Sequence, residues 1–166
     1  MSGSKSIHIV KAAMFAALIL VATFIIKIPT PGTGGYIHPG DAFVILAGVF
    51  LGPLYGGAAA AVGSALADIL GGYFIYAPVT FLIKGLCALG SGFIFGNFRD
   101  KIKKDHLRVI LCGIFSTVIV AGLYLVFELF IYGTGAVASV PANLIQGLSG
   151  LVISSLLYPL LKTRFN

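Results

Sequence analysis

Apolar residues fill this chain in long blocks, and the few polar positions between them set the boundaries. Residues 8–28 form a largely apolar stretch, with Lys11 and Lys27 near its ends, that stops at Pro29 and is long enough for one membrane-spanning helix of about 20 residues. Residues 29–40, PTPGTGGYIHPG, hold seven Gly or Pro and read as a loop. Further spans are expected over 79–98, 107–131 and 141–161.

The stretch 42–70 is too long for one crossing. As a single helix it would measure roughly 44 Å, against a hydrocarbon core of about 30 Å. It is also interrupted by Gly52-Pro53 and Gly56-Gly57, and proline removes a backbone donor and clashes with the preceding turn. Two short helices joined by a tight turn near 52–56 are expected, which brings the total to six.

Charge supports that count. Nine of the eleven Lys and Arg lie at Lys5 and Lys11, in the stretch Arg99–Arg108, and at Lys162 and Arg164. With six spans all three clusters share one side, the cytoplasmic side by the positive-inside rule; with five they do not. The expected fold is an all-α integral membrane protein of six transmembrane helices with both termini cytoplasmic. It forms a single domain over 1–166, with a flexible segment at 1–7, an outer loop or lid at 29–40, and a basic cytoplasmic loop at 99–107.

Composition agrees: 58% of the 166 residues are hydrophobic and 10% charged, where soluble domains carry about 25% charged residues. The net charge of +6 sits beside apolar runs, so it speaks for membrane orientation and not for nucleic acid. The first span lacks the small-residue cleavage site of a signal peptide. Cys87 and Cys112 are isolated in apolar segments and read as core residues.

Placed on this topology, Lys27, His38, Asp41, Asp68, Lys84, Glu128, Asn143 and Gln146 all fall in the outer half of the membrane, above an almost purely apolar inner half. Intramembrane charges cost about 2.5–3.5 kcal/mol each and are usually paired or functional. Gathered at one depth, they indicate a polar cavity open to the outside and argue against a permanently open channel.

Asp68 heads a stripe of small residues, Ser64, Ala60 and Gly56, and Lys84 heads another, Ala88, Gly92 and Gly96. Small residues four apart let membrane helices approach closely. The expectation is a structural ion pair, Asp68–Lys84, at this seam; the alternative is that Lys84 reaches into the cavity and touches a ligand. Glu128 shares a helix face with Tyr124 and Tyr132, which suits a flat polar ring or else an interfacial position. Asn143 and Gln146, three apart, offer donors and acceptors to a ligand or to a neighbouring helix. Tyr36 and His38 in the loop complete the candidate substrate-binding set. Ala12, Ala13, Ala16 and Ala17 give the first span a small-residue face, which serves either packing within the chain or docking of a separate protein.

No GxxxxGK[ST], HExxH, GxSxG or paired-cysteine motif occurs, so the sequence offers no nucleotide, metal or nucleophile site of those kinds. Binding is favoured over catalysis. A solitary secondary transporter, a membrane enzyme and a purely structural subunit are the rival readings.

The blocks AAMFAA, GYIHPGDAFVILAG, LGPLYGG, ALADILGGY, YAPVTFLIKGL and PANLIQG together resemble the S components of energy-coupling factor (ECF) transporters, and most of all the riboflavin-transporter-like branch. The resemblance spans nearly the whole chain. It implies a membrane subunit that binds a vitamin or related micronutrient near the outer face. Its implied partners are a transmembrane coupling protein (T component) and two ABC-type ATPases. ATP and Mg belong to those partners, and no cofactor belongs to this chain. The resemblance also implies that the alanine face of the first span is an AxxxA docking motif. Riboflavin-binding relatives carry Asn-x-x-Lys where this chain has Asn143 and Gln146. The missing lysine points away from riboflavin and toward a smaller ring compound, of the pyridoxine or hydroxymethylpyrimidine type.

Overall fold

A computed structural model describes residues 2–30 and 34–165, with side chains for 5–30 and 34–163. The middle of the expected lid, 31–33, lies outside the described residues. Among the described residues five α-helices run in chain order: α1 (Ser2–Ile25), α2 (Asp41–Gly71), α3 (Ala77–Asn97), α4 (Asp105–Tyr132) and α5 (Val140–Phe165). Two short strands, β1 (Ile28–Pro29) and β2 (Tyr36–Ile37), form an antiparallel hairpin between α1 and α2, and a 3-10 helix, Gly133–Ser139, links α4 to α5.

The expectation of six separate spans is not met. Among the described residues four stretches are long and apolar enough to cross a membrane: Lys5–Ile25, Asp41–Gly71, Ala77–Asn97 and Asp105–Thr163. The 3-10 helix carries the last of these from α4 into α5. The two short helices expected over 42–73 form one element, α2, broken at a single residue. α1 starts at Ser2, within the segment 1–7 expected to be flexible. The basic loop is shorter than expected, since α4 begins at Asp105.

Gly52 is that break in α2, at φ 76° and ψ 179°, a backbone region open to glycine. Pro53 follows and cannot continue the first helix. The two arms double back on each other: a methyl group placed on Gly56 would lie 2.5 Å from the Ala47 carbonyl oxygen. The first arm, 41–51, is about 16 Å long, too short to span a bilayer. Gly72 closes the second arm in a left-handed conformation, φ 81°, and donates its N–H to the Asp68 and Ile69 carbonyls, a glycine C-cap.

Glycines bring the helices into backbone contact. A methyl on Gly92 of α3 would sit 2.6 Å from the Pro53 nitrogen and 2.9 Å from the Gly48 oxygen. Gly56 of one expected small-residue stripe and Ala88 and Gly92 of the other therefore pack on the first arm of α2, while Gly96 meets nothing there. The second arm meets α3 elsewhere, with Gly57 against Leu89 and Ala61 against Gly85. α1 lies on the second arm, where Gly63 abuts the Ala16 backbone.

The α3–α4 seam is antiparallel and polar throughout its length. Thr80 and Tyr124 share a 2.8 Å hydrogen bond, Cys87 donates to the Ser116 carbonyl, Cys112 to the Ser91 carbonyl and Arg108 to the Phe95 carbonyl. Both cysteines are fully buried. Ser64, Ser91, Ser116 and Ser154 are buried too, so the interior below the expected cavity is less uniformly apolar than anticipated.

Candidate functional site: a polar cavity beneath the hairpin

The sequence stacks helix ends at one end of the bundle, and a cavity forms among them. The hairpin contributes Thr30, Gly35, Tyr36 and His38. The end of α2 contributes Asp68, and the start of α3 contributes Thr80 just after Tyr76. The last turns of α4 supply Tyr124 and Glu128, and the first turns of α5 supply Asn143 and Gln146. The open space at its centre is about 20 Å³, close to what a single water needs.

Two carboxylates stand in this wall with different surroundings. Glu128, 2% exposed, accepts from the Tyr76 hydroxyl at 3.1 Å on one oxygen and from the Ser139 hydroxyl on the other. Asn143 extends this group through a 3.4 Å contact from its Nδ2 to the Ser139 oxygen. Asp68, 4% exposed, accepts from the Tyr36 hydroxyl at 2.6 Å on Oδ1. The Thr80 hydroxyl also lies close to this carboxylate, while its Oδ2, which is buried, has no hydrogen-bond partner of its own among the described residues. A buried carboxylate oxygen left in that state is costly, and it is a ready acceptor for a donor brought in by a ligand.

The Asp68–Lys84 ion pair does not form. Lys84, fully buried, donates to Asp41 Oδ1 at 2.5 Å, and the Gln146 amide donates to Asp41 Oδ2 at 3.1 Å. The reason lies in the bend at Gly52. It lays the first arm of α2 beside α3 in a parallel sense, with Asp41 opposite Lys84, while Asp68 sits nearer the α2–α3 turn. Lys84 is therefore not part of the cavity lining. It holds the start of α2 to α3 and, through Asp41 and Gln146, to α5.

Gln146 carries that network to the hairpin by accepting the His38 backbone N–H at 3.1 Å. His38 Nδ1 accepts from the Gly40 N–H at 3.1 Å, which assigns the imidazole proton to Nε2. Burial is the main cause that lowers the His38 pKa to about 3, with Asp41 opposing and Lys84 and Lys27 assisting. His38 is therefore neutral at physiological pH. The Tyr36 and Tyr76 hydroxyls are pushed well above the usual phenol range by burial first, then by their carboxylate neighbours and, for Tyr76, Tyr132. Both remain donors at every physiological pH.

Tyr132 stands outside the cavity, where its hydroxyl accepts the Gly34 N–H at 3.2 Å. The hairpin is thus fastened at three points, by Tyr132, by Asp68 and by Gln146. Lys27 braces it from the side, with its ammonium 4.3 Å from the Phe24 ring, 5.0 Å from Tyr36 and 5.3 Å from Tyr73, within cation–π range. Of the expected binding set, the cavity brings together Tyr36, His38, Tyr124, Glu128, Asn143 and Gln146. Sequence reasoning missed Thr80, Tyr76 and Ser139, and it assigned Asp68 to the wrong partner. The YAPVT segment carried a usable signal, since Tyr76 and Thr80 are four apart at a helix start.

On α1 the four alanines divide. Ala12 and Ala16 are partly buried against the core, while Ala13 and Ala17 face outward. Among the described residues no group of three or more His, Cys, Asp or Glu is placed to hold a metal ion.

Comparison with known proteins gives this geometry a family. Residues 4–163 match the family described as ECF-type riboflavin transporter, S component. A protein of Pyrococcus woesei, described only as an uncharacterized protein in gap 3'region, is 36% identical over 147 residues, which cover 88% of this chain and 95% of that one. A solved structure of the S component of a bacterial ECF transporter shares the fold, with a TM-score of 0.69 at 23% identity over 96% of this chain and 98% of that one. The chain therefore belongs to the ECF-type riboflavin transporter S-component family, the multi-pass membrane subunits that bind substrate for ECF transporters.

Proposed function

We propose that this chain captures a small, water-soluble ring compound, a vitamin or vitamin precursor of the pyridoxine or hydroxymethylpyrimidine type, in the cavity beneath the hairpin. The observation that carries this reading is the unpartnered Oδ2 of Asp68, buried in a wall that also holds Glu128 and Asn143. A ligand that supplies a hydroxyl, amino or ring N–H donor satisfies that oxygen, and the Tyr76 and Tyr124 rings offer faces for a flat ring. The narrow space favours a small ligand that the hairpin strands part to admit.

Riboflavin is the second reading, supported by the description of the matching family. Against it stands Gln146, which is already engaged on both sides, with Asp41 and with the His38 backbone. The test is equilibrium binding of pyridoxine, hydroxymethylpyrimidine and riboflavin to the purified chain. Tight binding of one of the first two, without chemical turnover, supports the proposal. Preference for riboflavin selects the second reading. Turnover of a ligand by the chain alone would instead make it an enzyme.

In the cell we expect the chain to work with a T component and two ABC-type ATPases that carry ATP and Mg. The basic loop after α3 and both termini lie on the cytoplasmic side, and the cavity faces out. The outward Ala13 and Ala17 of α1 form the docking face. Substrate uptake by this chain alone, driven by an ion gradient, would make it a secondary transporter instead.

A further inference from the structure

The end of the bundle remote from the hairpin holds a second cavity, of about 290 Å³, between the end of α3, the start of α4 and the last turns of α5. Arg99, Arg108 and Lys162 line it beside one acid, Asp105, which leaves a surplus of two positive charges. Asp105 is fully engaged within the protein. It accepts from Arg108 Nη2, from the Tyr158 hydroxyl at 2.9 Å and from Lys162 Nζ at 2.5 Å. Its role is to hold two of the cations in place.

Arg108 is anchored as well. Its Nη1 donates to the Phe95 carbonyl at 2.6 Å, and its guanidinium lies 4.1 Å over the Phe95 ring. The residue is 4% exposed, and its Nε has no hydrogen-bond partner among the described residues. Lys162 has two further N–H donors and a side chain that is 43% exposed, and Arg99 is exposed. A pre-arranged guanidinium and ammonium with donors to spare suit a tetrahedral oxyanion, which takes charge-assisted hydrogen bonds from several directions.

The surroundings narrow the anion further. Phe93, Phe98, Leu156 and Leu160 are exposed apolar side chains on the same ends of α3 and α5. An oxyanion attached to an acyl-bearing molecule could therefore sit in the cavity while its chains cover these residues. We propose that this cavity is a phosphate-binding site at the membrane interface, filled by the headgroup of an anionic phospholipid or by free phosphate.

The test uses the full purified chain after delipidation, with phosphatidylglycerol and phosphatidylcholine measured by native mass spectrometry, and inorganic phosphate measured by thermal shift. Phosphatidylglycerol should be retained over phosphatidylcholine. Arg99→Gln with Lys162→Gln should lower that retention about fivefold per charge removed. Arg99→Gln alone, which touches none of the Asp105 bonds, should show the single step. Lys103→Gln with Lys104→Gln, exposed neighbours outside the cavity, should change it less than twofold. If phosphate stabilises the wild type and not the double variant while the two lipids bind alike, the site takes free phosphate. Equal retention of both lipids with no phosphate effect, or an equal loss in the Lys103/Lys104 variant, overturns the proposal.

Discussion

Removing either charge of the Asp41–Lys84 pair strands the other inside an apolar bundle. Truncating one partner of a buried pair typically costs about 3–5 kcal/mol, whereas replacing both with apolar groups of similar volume is often near neutral. Asp41→Leu and Lys84→Met should each lower the unfolding temperature in detergent sharply, and the double variant should recover most of the loss. Additive losses would mean that the two side chains act independently. His38 makes a prediction of opposite chemistry. Its pKa is about 6.5 when unfolded and about 3 when folded, so between those values the unfolded chain binds a proton that the folded chain refuses. The stability contributed by neutral His38 is complete above pH 6.5 and is lost as pH falls toward 3. Thermal unfolding from pH 7.5 to 4.5 should fall more steeply for the wild type than for His38→Asn. Parallel slopes would show that His38 is not the group that titrates.

Close helix contact is the element-scale counterpart. Gly92 and Gly96 lie one turn apart on α3, yet a methyl on Gly92 meets the α2 backbone and one on Gly96 meets nothing within 4 Å. Gly92→Ala should destabilise by about 1–3 kcal/mol, while Gly96→Ala should be neutral or stabilising by about 0.5–1 kcal/mol through helix propensity. Denaturant titration of both variants checks the difference in sign. The alanines of α1 divide in the same way. Ala16→Leu should disturb the contact with Gly63 and lower stability, whereas Ala17→Leu should leave the fold intact and reduce uptake only in the assembled transporter. An Ala17→Leu chain that unfolds would remove α1 as the docking face.

At the scale of the whole molecule, the apolar blocks, the break at Gly52-Pro53 and the gathering of polar residues at one end were legible from sequence. Each depends on local chemistry: hydrophobic length, a missing backbone donor, the scarcity of intramembrane charge. Partnerships were not legible, because they depend on register. The pairing of Asp41 with Lys84 follows only once the first arm of α2 runs parallel to α3, and no residue near either one encodes that. The hairpin over the cavity was hidden because each of its strands is two residues long. The second cavity was hidden because Asp105 and Arg108 read as part of a basic loop until α4 was seen to begin at Asp105. The central claim is that the cavity beneath the hairpin binds a donor-bearing ring through the free oxygen of Asp68, and one measurement reaches it directly. In an isothermal titration of the best-bound compound into wild type and Asp68→Asn, binding to the variant should weaken by about 10-fold or more, since a hydrogen bond to a charged group is worth about 1.5–3 kcal/mol. Equal affinity for the two chains, with the variant folded, would contradict it.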